Sequence, residues 1–471
     1  MIIGLALVTA AISQACLAVN QVVNNPVVLP LMEQPGPTAT LTPTRPPTAT
    51  PRPTFTPFPT RPTSTPTATI APVLVLESPT PTLEPTQLPL ALQLDVFDDL
   101  WNVVKETYLY PDFNGLDWDA VRVEYRQKVE AGLSNYEFYN AMFEMIARLG
   151  DNHSTYWPPE VVQAKKVEFS GQQDYVGIGV LSSAVPERKR AVVLVVFPGS
   201  PAEQAGLLVR DSILTVNGEP ILDEDGYLKN LIRGPQGTQV TLEVQTPGQE
   251  PRFLTITRQP IRGKMTLPNS VMTTPGGKRI GYIFIWSFYD STFPETFAEI
   301  LQSMAAEKPL DGLIIDVRDN SGGANTVVQP ILANFVHGVV GHFYNRDKER
   351  PLDLGDGTNI GGSQSMPLVV ITGKGTYSFG EIFAGILQDL GRAYLIGEVT
   401  NGVVETLRGY DFKDGSHAWI AFEAFRPLNH PDTTWENVGV TPDLVMQSNL
   451  DEYQIQSDPI VQAGLKYFDS K

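Results

Sequence analysis

Between Pro35 and Leu90, 16 of 56 residues are Pro and 16 are Thr. Proline fixes φ and lacks an amide donor, so this block can enter neither a helix interior nor a central strand. With so few aliphatic side chains it cannot bury a core either. It therefore divides the 471 residues into a short apolar N-terminus and a long body. At roughly 100–200 residues per domain, the whole length allows two to four domains. The block holds Arg45, Arg52, Arg61, Glu77 and Glu84, and residues 1–34 hold only Glu33 among charged side chains. The body thus carries the whole formal net charge of −18. So acidic a body argues against nucleic-acid binding, which needs a basic surface. The single cysteine, Cys16, excludes a disulfide framework and a Cys-based zinc site.

Residues Met1 to Ala15 are apolar and small, and the run is too short to span a bilayer comfortably. It resembles the hydrophobic region of an export signal. Ile12-Ser13-Gln14-Ala15-Cys16 looks like a bacterial lipoprotein cleavage site, which implies lipidation of Cys16. An ordinary signal with an incidental cysteine is the alternative. Residues 17–90 then form a disordered linker. Extended as polyproline at about 3.1 Å per residue, the Thr/Pro block could reach on the order of 150 Å. The expected location is the cell surface or periplasm, with a membrane tether at the N-terminus.

The body divides into three. Over 91–166 the apolar residues Leu94, Phe97, Leu100, Trp101, Val104 and Tyr108 recur at helical spacing, and Trp118, Val121 and Tyr125 suggest a second helix. Ser134-Asn135-Tyr136-Glu137 is a capping box that opens a third helix, stopped near Gly150. A small helical N-terminal domain is expected. Residues 167–260 read as strands with two short helices. From 261 to 471, unbroken apolar strands such as Leu313–Val317 and Leu368–Thr372 alternate with helices. This predicts an α/β core with a largely parallel sheet, whose chemistry sits at the carboxyl ends of the strands. Two turns occupy those ends: Asp316-Val317-Arg318-Asp319-Asn320-Ser321-Gly322-Gly323 and Thr372-Gly373-Lys374-Gly375-Thr376-Tyr377-Ser378-Phe379-Gly380-Glu381. A serine between strand and helix is well placed for a nucleophile, with helix-start amides near an oxyanion. Taken alone, Ser378 reads first as a helix N-cap, the commonest job of a serine in that place.

The middle segment closely resembles a PDZ domain of the circularly permuted bacterial kind, through Gly199-Ser200-Pro201-Ala202-Glu203-Gln204-Ala205-Gly206-Leu207 and Asp211-Ser212-Ile213-Leu214-Thr215-Val216-Asn217-Gly218. The resemblance implies a β-barrel-like fold that captures a peptide carboxylate at Gly177, Ile178, Gly179 and Val180. A plain hairpin glycine pair is the bland reading of those residues.

The three parts together resemble the tail-specific, or C-terminal processing, serine peptidase family from about Leu92 to Leu444. Asp316-Val317-Arg318-Asp319-Asn320-Ser321-Gly322-Gly323 matches its Asp-x-Arg-x-Asn-x-Gly-Gly motif, and Ser378-Phe379-Gly380-Glu381 stands where Ser-Ala-Ser-Glu is usual. The resemblance makes Ser378 the nucleophile and the amides of Gly323 and Phe379 the oxyanion donors. The lysine that many members use as base falls at Val403, and the glutamine that often accompanies it falls at Leu407. A valine cannot take a proton. Another branch, which includes the tricorn core protease, uses His and Glu. Gly150-Asp151-Asn152-His153-Ser154 matches its histidine motif, and Glu436 precedes Gly439-Val440-Thr441-Pro442-Asp443 where its acid belongs. The resemblance thus implies a triad of Ser378, His153 and Glu436. Competing groups are Glu405 as acid, His417 and His430 as bases, and Lys374, which reads as a solvated charge. His337 and His342 read as helix-end and loop residues, and Ser321 as a turn former. The five histidines show no metal-ligand spacing, and no cofactor or metal is expected. The expected activity is an exported serine endopeptidase acting on polypeptides through their C-terminal tails, with an oligomer compatible. A catalytically inactive PDZ scaffold is the alternative.

Overall fold

The computed structural model describes residues 87–163, 175–261 and 266–471. Cys16 and the Thr/Pro block up to residue 86 lie outside the described residues. Among them, no helix is long and apolar enough to cross a membrane.

Three helices open the described chain: Leu90–Thr107, Trp118–Glu130 and Asn135–Ala147. Asp117 caps the second by accepting the Ala120 amide at 2.9 Å. The capping box starts the third, with the Glu137 carboxylate accepting the Ser134 amide and the Ser134 hydroxyl accepting the Glu137 amide. Their apolar faces bury Phe97, Leu100, Trp101, Val121, Tyr125, Phe138 and Met142. Phe412, Ala418, Ile420, Ala421 and Ala424, from far along the chain, complete the same cluster. All but Phe412, which follows the strand Thr406–Asp411, come from an antiparallel sheet in the order Thr155–Trp157, His417–Pro427, Val339–Tyr344, Glu349–Asp353, with Thr406–Asp411 also paired to His417–Pro427. The spacing did not foretell this sheet. His342, expected in a loop, lies in its third strand.

The next segment forms a sheet in the order Val180–Val185, Arg190–Val196, Ser212–Val216, Gln239–Gln245, Arg252–Thr257. Asn217 and Gly218 both take positive φ, 52° and 79°, as a tight hairpin turn requires. The continuous apolar run 190–196 has a physical reason. Ala191 and Val193 face this domain's own core, while Val192 and Leu194 face the peptidase core. The segment holds two short helices, the α-helix Pro201–Gln204 and the 3-10 turn Pro186–Arg188. Over 221–238 the Asp223 carboxylate accepts the amides of Asp225 and Tyr227, and Gly226 sits at φ 88°. These bonds fold the chain into a tight turn, and a helix cannot propagate through it.

The core sheet has the order Asn269–Thr273, Arg279–Phe284, Gly312–Asp316, Leu368–Thr372, Tyr394–Gly397, Leu444–Val445. Its first pair is antiparallel and the rest are parallel. Helices Phe293–Glu307 and Phe379–Asp389 are crossovers, and Pro459–Asp469 packs against the sheet. The central strands are buried along their whole length, as a sheet covered on both faces demands. Where the middle domain meets the core lies a buried ionic network. Arg318 pairs with Asp316 and Asp458, both at 2.7 Å, and Arg210 lies 3.5 Å from Asp458. Burial opposes ionisation of Asp316, but Arg318 and then Arg210 hold its carboxyl below the ordinary range.

Candidate active site

The strand Gly312–Asp316 runs into the first turn, and Leu368–Thr372 into the second. The two turns are stitched together. Thr376 Oγ1 donates to the Val317 carbonyl at 2.7 Å, and the Tyr377 amide donates to the Asn320 carbonyl at 2.8 Å. The buried Asn320 side chain donates to the Ile285 carbonyl and accepts the Gly322 amide. Ser378 follows at φ 52°, ψ −122°, a strained conformation of the kind found where a nucleophile is presented. Gly322 faces Ser378 so closely that a Cβ there would lie 3.2 Å from Ser378 Oγ. Gly323 takes φ 150°, and a Cβ on it would lie 2.1 Å from the Phe288 carbonyl carbon. Only glycine fits. The amides of Gly323 and Phe379 donate to no backbone carbonyl among the described residues. The Phe379 amide opens a helix, where an intrahelical acceptor is lacking.

Ser378 does occupy the N-cap position. Its amide donates to the Glu381 carboxylate at 3.1 Å. Glu381 also accepts the Thr400 hydroxyl and the amides of Gly402 and Val403. Burial pushes its pKa up to about 7 against the pull of these donors. This role of Glu381 was not read from the sequence, although Ser-x-x-Glu at 378–381 is the capping-box pattern that could have shown it.

His153 is set by the loop after the third helix. The Asp151 carboxylate accepts the amides of His153 and Ser154, and the Ser154 hydroxyl accepts the Ala421 amide at 3.0 Å. The His153 side chain is 4% exposed and its Nε2 lies 3.6 Å from Glu436 Oε2. Glu436 is held by its neighbours. Trp435 packs on Gly385 of the helix Phe379–Asp389 and stacks on Phe425. The Asn437 amide bonds the Gly402 carbonyl at 2.7 Å. Burial opposes charge on His153, but Glu436, then Glu405 and Asp151, outweigh it and raise its pKa above the ordinary imidazole value.

Ser378 reaches this pair through the backbone. Its amide donates to the Val403 carbonyl at 2.8 Å, and the next amide, of Val404, donates to Glu436 Oε2 at 2.9 Å. Glu405 joins the cluster: donor atoms of His153, Glu405 and Glu436 lie within 4.8 Å of one another. Burial, and then Glu436, pushes Glu405 up to about 7, and the Tyr110 hydroxyl donates to it. Tyr110 gave no signal in the sequence. The other candidates sit elsewhere. His417 pairs with Asp411 and His430 with Asp389. Lys374 is 77% exposed and near Glu398.

Residues 279–446 match peptidase family S41, residues 94–147 the tricorn protease C1 domain, and residues 192–246 a PDZ domain. The chain is 31% identical over 359 residues to a carboxyl-terminal-processing protease of Synechocystis sp., covering 74% of this chain and 80% of that one. It is 28% identical over 358 residues to the chloroplastic carboxyl-terminal-processing peptidase 2 of Arabidopsis thaliana, covering 74% and 68%. Among solved structures it is similar to the photosystem II D1 C-terminal processing protease, with a TM-score of 0.53, 25% identity, and coverage of 76% and 93%.

Proposed function

Because the chain belongs to the carboxyl-terminal-processing proteases of peptidase family S41, it is a serine-type peptidase with a PDZ domain, and we propose that Ser378, His153 and Glu436 carry out its reaction. Ser378 Oγ attacks the peptide carbonyl carbon and its proton passes to His153. The Gly323 and Phe379 amides receive the developing oxyanion. His153 then returns the proton to the leaving amine, and water releases the acyl group from Ser378 in a second round. Since Nε2 faces Glu436, Nδ1 is the nitrogen that takes the serine proton. The Glu436 carboxylate, 3.6 Å from Nε2, stabilises the imidazolium by its charge. The observation that carries this reading is the backbone link 403–405. Val403, at the lysine position, bonds Ser378, and its neighbour bonds the Glu436 carboxylate beside His153.

Kinetics of five variants test it. Ser378→Ala and His153→Ala should each lower turnover by several orders of magnitude, and the double variant should lose little more, since such residues act as a unit. Glu436→Gln should cost less. Activity that survives His153→Ala but is lost in Lys374→Ala overturns the assignment.

The PDZ domain, in this reading, receives polypeptide C-terminal tails at Gly177-Ile178-Gly179-Val180. Two features support it. Val180–Val185 ends its sheet, and an edge strand can accept a peptide as an added strand. The amides of Ile178 and Gly179 donate to no backbone carbonyl among the described residues, which leaves them available to a carboxylate. The division into helical 91–166, PDZ 167–260 and peptidase 261–471 belongs to the same reading. So does export with lipidation of Cys16 and a tether over 17–90. The relatives are bacterial and chloroplastic enzymes, which fits export.

A further inference from the structure

His417, His430 and His342 each sit against one carboxylate partner: Asp411, Asp389 and Glu349. The cluster of His153, Glu405 and Glu436 differs from these, and among the described residues no other group of three such side chains lies close enough to share one ion. Two of its donor atoms, His153 Nε2 and Glu405 Oε2, are buried without a hydrogen-bond partner. Their residues are 6% and 1% exposed. The 3.6 Å between His153 Nε2 and Glu436 Oε2 exceeds a normal hydrogen bond. It is close to the spacing of roughly 3.4 Å between two ligands held at about 2.1 Å on a tetrahedral zinc ion. No lysine or arginine among the described residues pairs with either carboxylate, so the imidazole is the one basic group beside the two acids. Their outer partners hold them in place as metal ligands are held. The Tyr110 hydroxyl donates to Glu405 Oε1, and the Val404 and Glu405 amides donate to Glu436 Oε2. Glu436, at 12% side-chain exposure, gives an ion a route from solvent.

We propose that His153, Glu405 and Glu436 form a binding site for a divalent transition-metal ion of the zinc class, and that an ion bound there switches the peptidase off. The donor set of one imidazole and two carboxylates suits Zn2+ better than Mg2+ or Ca2+, which take oxygen ligands in larger number. Three protein ligands leave one position for water. An imidazole bound through Nε2 keeps its proton on Nδ1, so that nitrogen cannot accept the proton of Ser378. Glu436 is engaged by the ion at the same time. The inhibition rests on the reading of His153 as the base; the binding does not.

The test is calorimetric titration of the full-length chain with Zn2+, in the wild type, Ser378→Ala, Glu405→Gln and Tyr110→Phe. Surface pairs such as His430 and Asp389 can take zinc weakly, so the readout is the tight equivalent. Wild type and Ser378→Ala should bind one tight Zn2+ per chain, without competition from Mg2+. Glu405→Gln should bind about 10-fold more weakly or worse, and Tyr110→Phe, which removes only an outer hydrogen bond, about 10-fold more weakly. Tyr110→Phe also keeps the test open if Glu405→Gln does not fold. Zinc inhibition of hydrolysis, normalised to each protein's zinc-free rate, should shift by the same factors. Absence of a tight equivalent in the wild type, or unchanged affinity in both substituted proteins, overturns the site. Tight binding without inhibition overturns the switch. Zinc that binds a Ser378→Ala protein still able to hydrolyse leaves the site standing and removes the serine assignment. A zinc-blind wild type whose activity dies with Ser378→Ala does the reverse.

Discussion

Replacing Glu381 by Gln removes one atom's charge and changes the site at its most heavily bonded point. The Glu381 carboxylate accepts from the Ser378 amide at 3.1 Å, the Thr400 hydroxyl at 2.5 Å, the Gly402 amide at 2.6 Å and the Val403 amide at 2.8 Å. The residue is 0% exposed. Oε1 serves Thr400 and Gly402, and Oε2 serves Val403 and Ser378. Glutamine keeps one of these oxygens and turns the other into a donor. With its amide nitrogen in the Oε2 place, two backbone donors face a third; in the Oε1 place the Gly402 amide does, while the Thr400 hydroxyl can rotate to accept. Hydrogen bonds to a charged acceptor are worth about 1.5–3 kcal/mol each, so losing one or two costs about 1.5–6 kcal/mol. That is a large part of the roughly 5–15 kcal/mol that holds a protein folded. Urea unfolding followed by fluorescence measures the loss, and kcat with a reporter peptide measures the displacement of Ser378. Glu137→Gln is the control, because it removes the same carboxylate from a capping box that lies in solvent; its unfolding midpoint should hardly move. A loss below about 1 kcal/mol for Glu381→Gln would show that the four bonds do not anchor the serine turn.

Three further outcomes are expected. Gly323→Ala should lower kcat by about 10²–10³-fold with little change in KM, because its Cβ would strike Phe288 and pull the oxyanion amide away; an active variant removes Gly323 from the site. Asp319 is pushed up to about 6, by burial first and then by Asp316, with Ser183 pulling the other way. Its folded pKa lies above its unfolded one, so its stabilisation is full below about pH 4 and lost as the pH rises through about 6. Asp319→Asn should therefore stabilise the fold against urea at about pH 8, by at most about 3 kcal/mol and less for a partly exposed residue, and leave its stability unchanged near pH 4; an equal effect at both pH values contradicts this. Peptides with apolar C-termini should bind the PDZ domain with micromolar dissociation constants, about −8 kcal/mol, and amidation should weaken them. Equal binding of the acid and amide forms in calorimetry removes carboxylate capture.

What the sequence revealed depended on distance along the chain. The capping box at Ser134–Glu137, the turn at Asn217-Gly218 and the strands Gly312–Asp316 and Leu368–Thr372 are local, and each formed where its residues indicated. The pairing of Thr155–Trp157 with His417–Pro427 is not local, and three residues carry too little periodicity to announce a strand. At the site, motif spacing led to His153 and Glu436, which the fold brings together. Tyr110 and the fourfold bonding of Glu381 stayed hidden because hydrogen bonds between distant segments leave no spacing in the chain.

The helices that lead to His153 cannot finish their core by themselves. Phe412, Ala418, Ile420 and Ala421 close it, Ser154 is tied to Ala421 across 267 residues, and Tyr110 is tied to Glu405 across 295. A ribosome makes the histidine early and these partners late. Contacts of such long range form after the local ones, so a nascent chain holds His153 on an open, unfinished platform until nearly the whole polypeptide has emerged. The order of synthesis thereby acts as a time lock on this platform: a chain still being made lacks the packed support that sets its histidine.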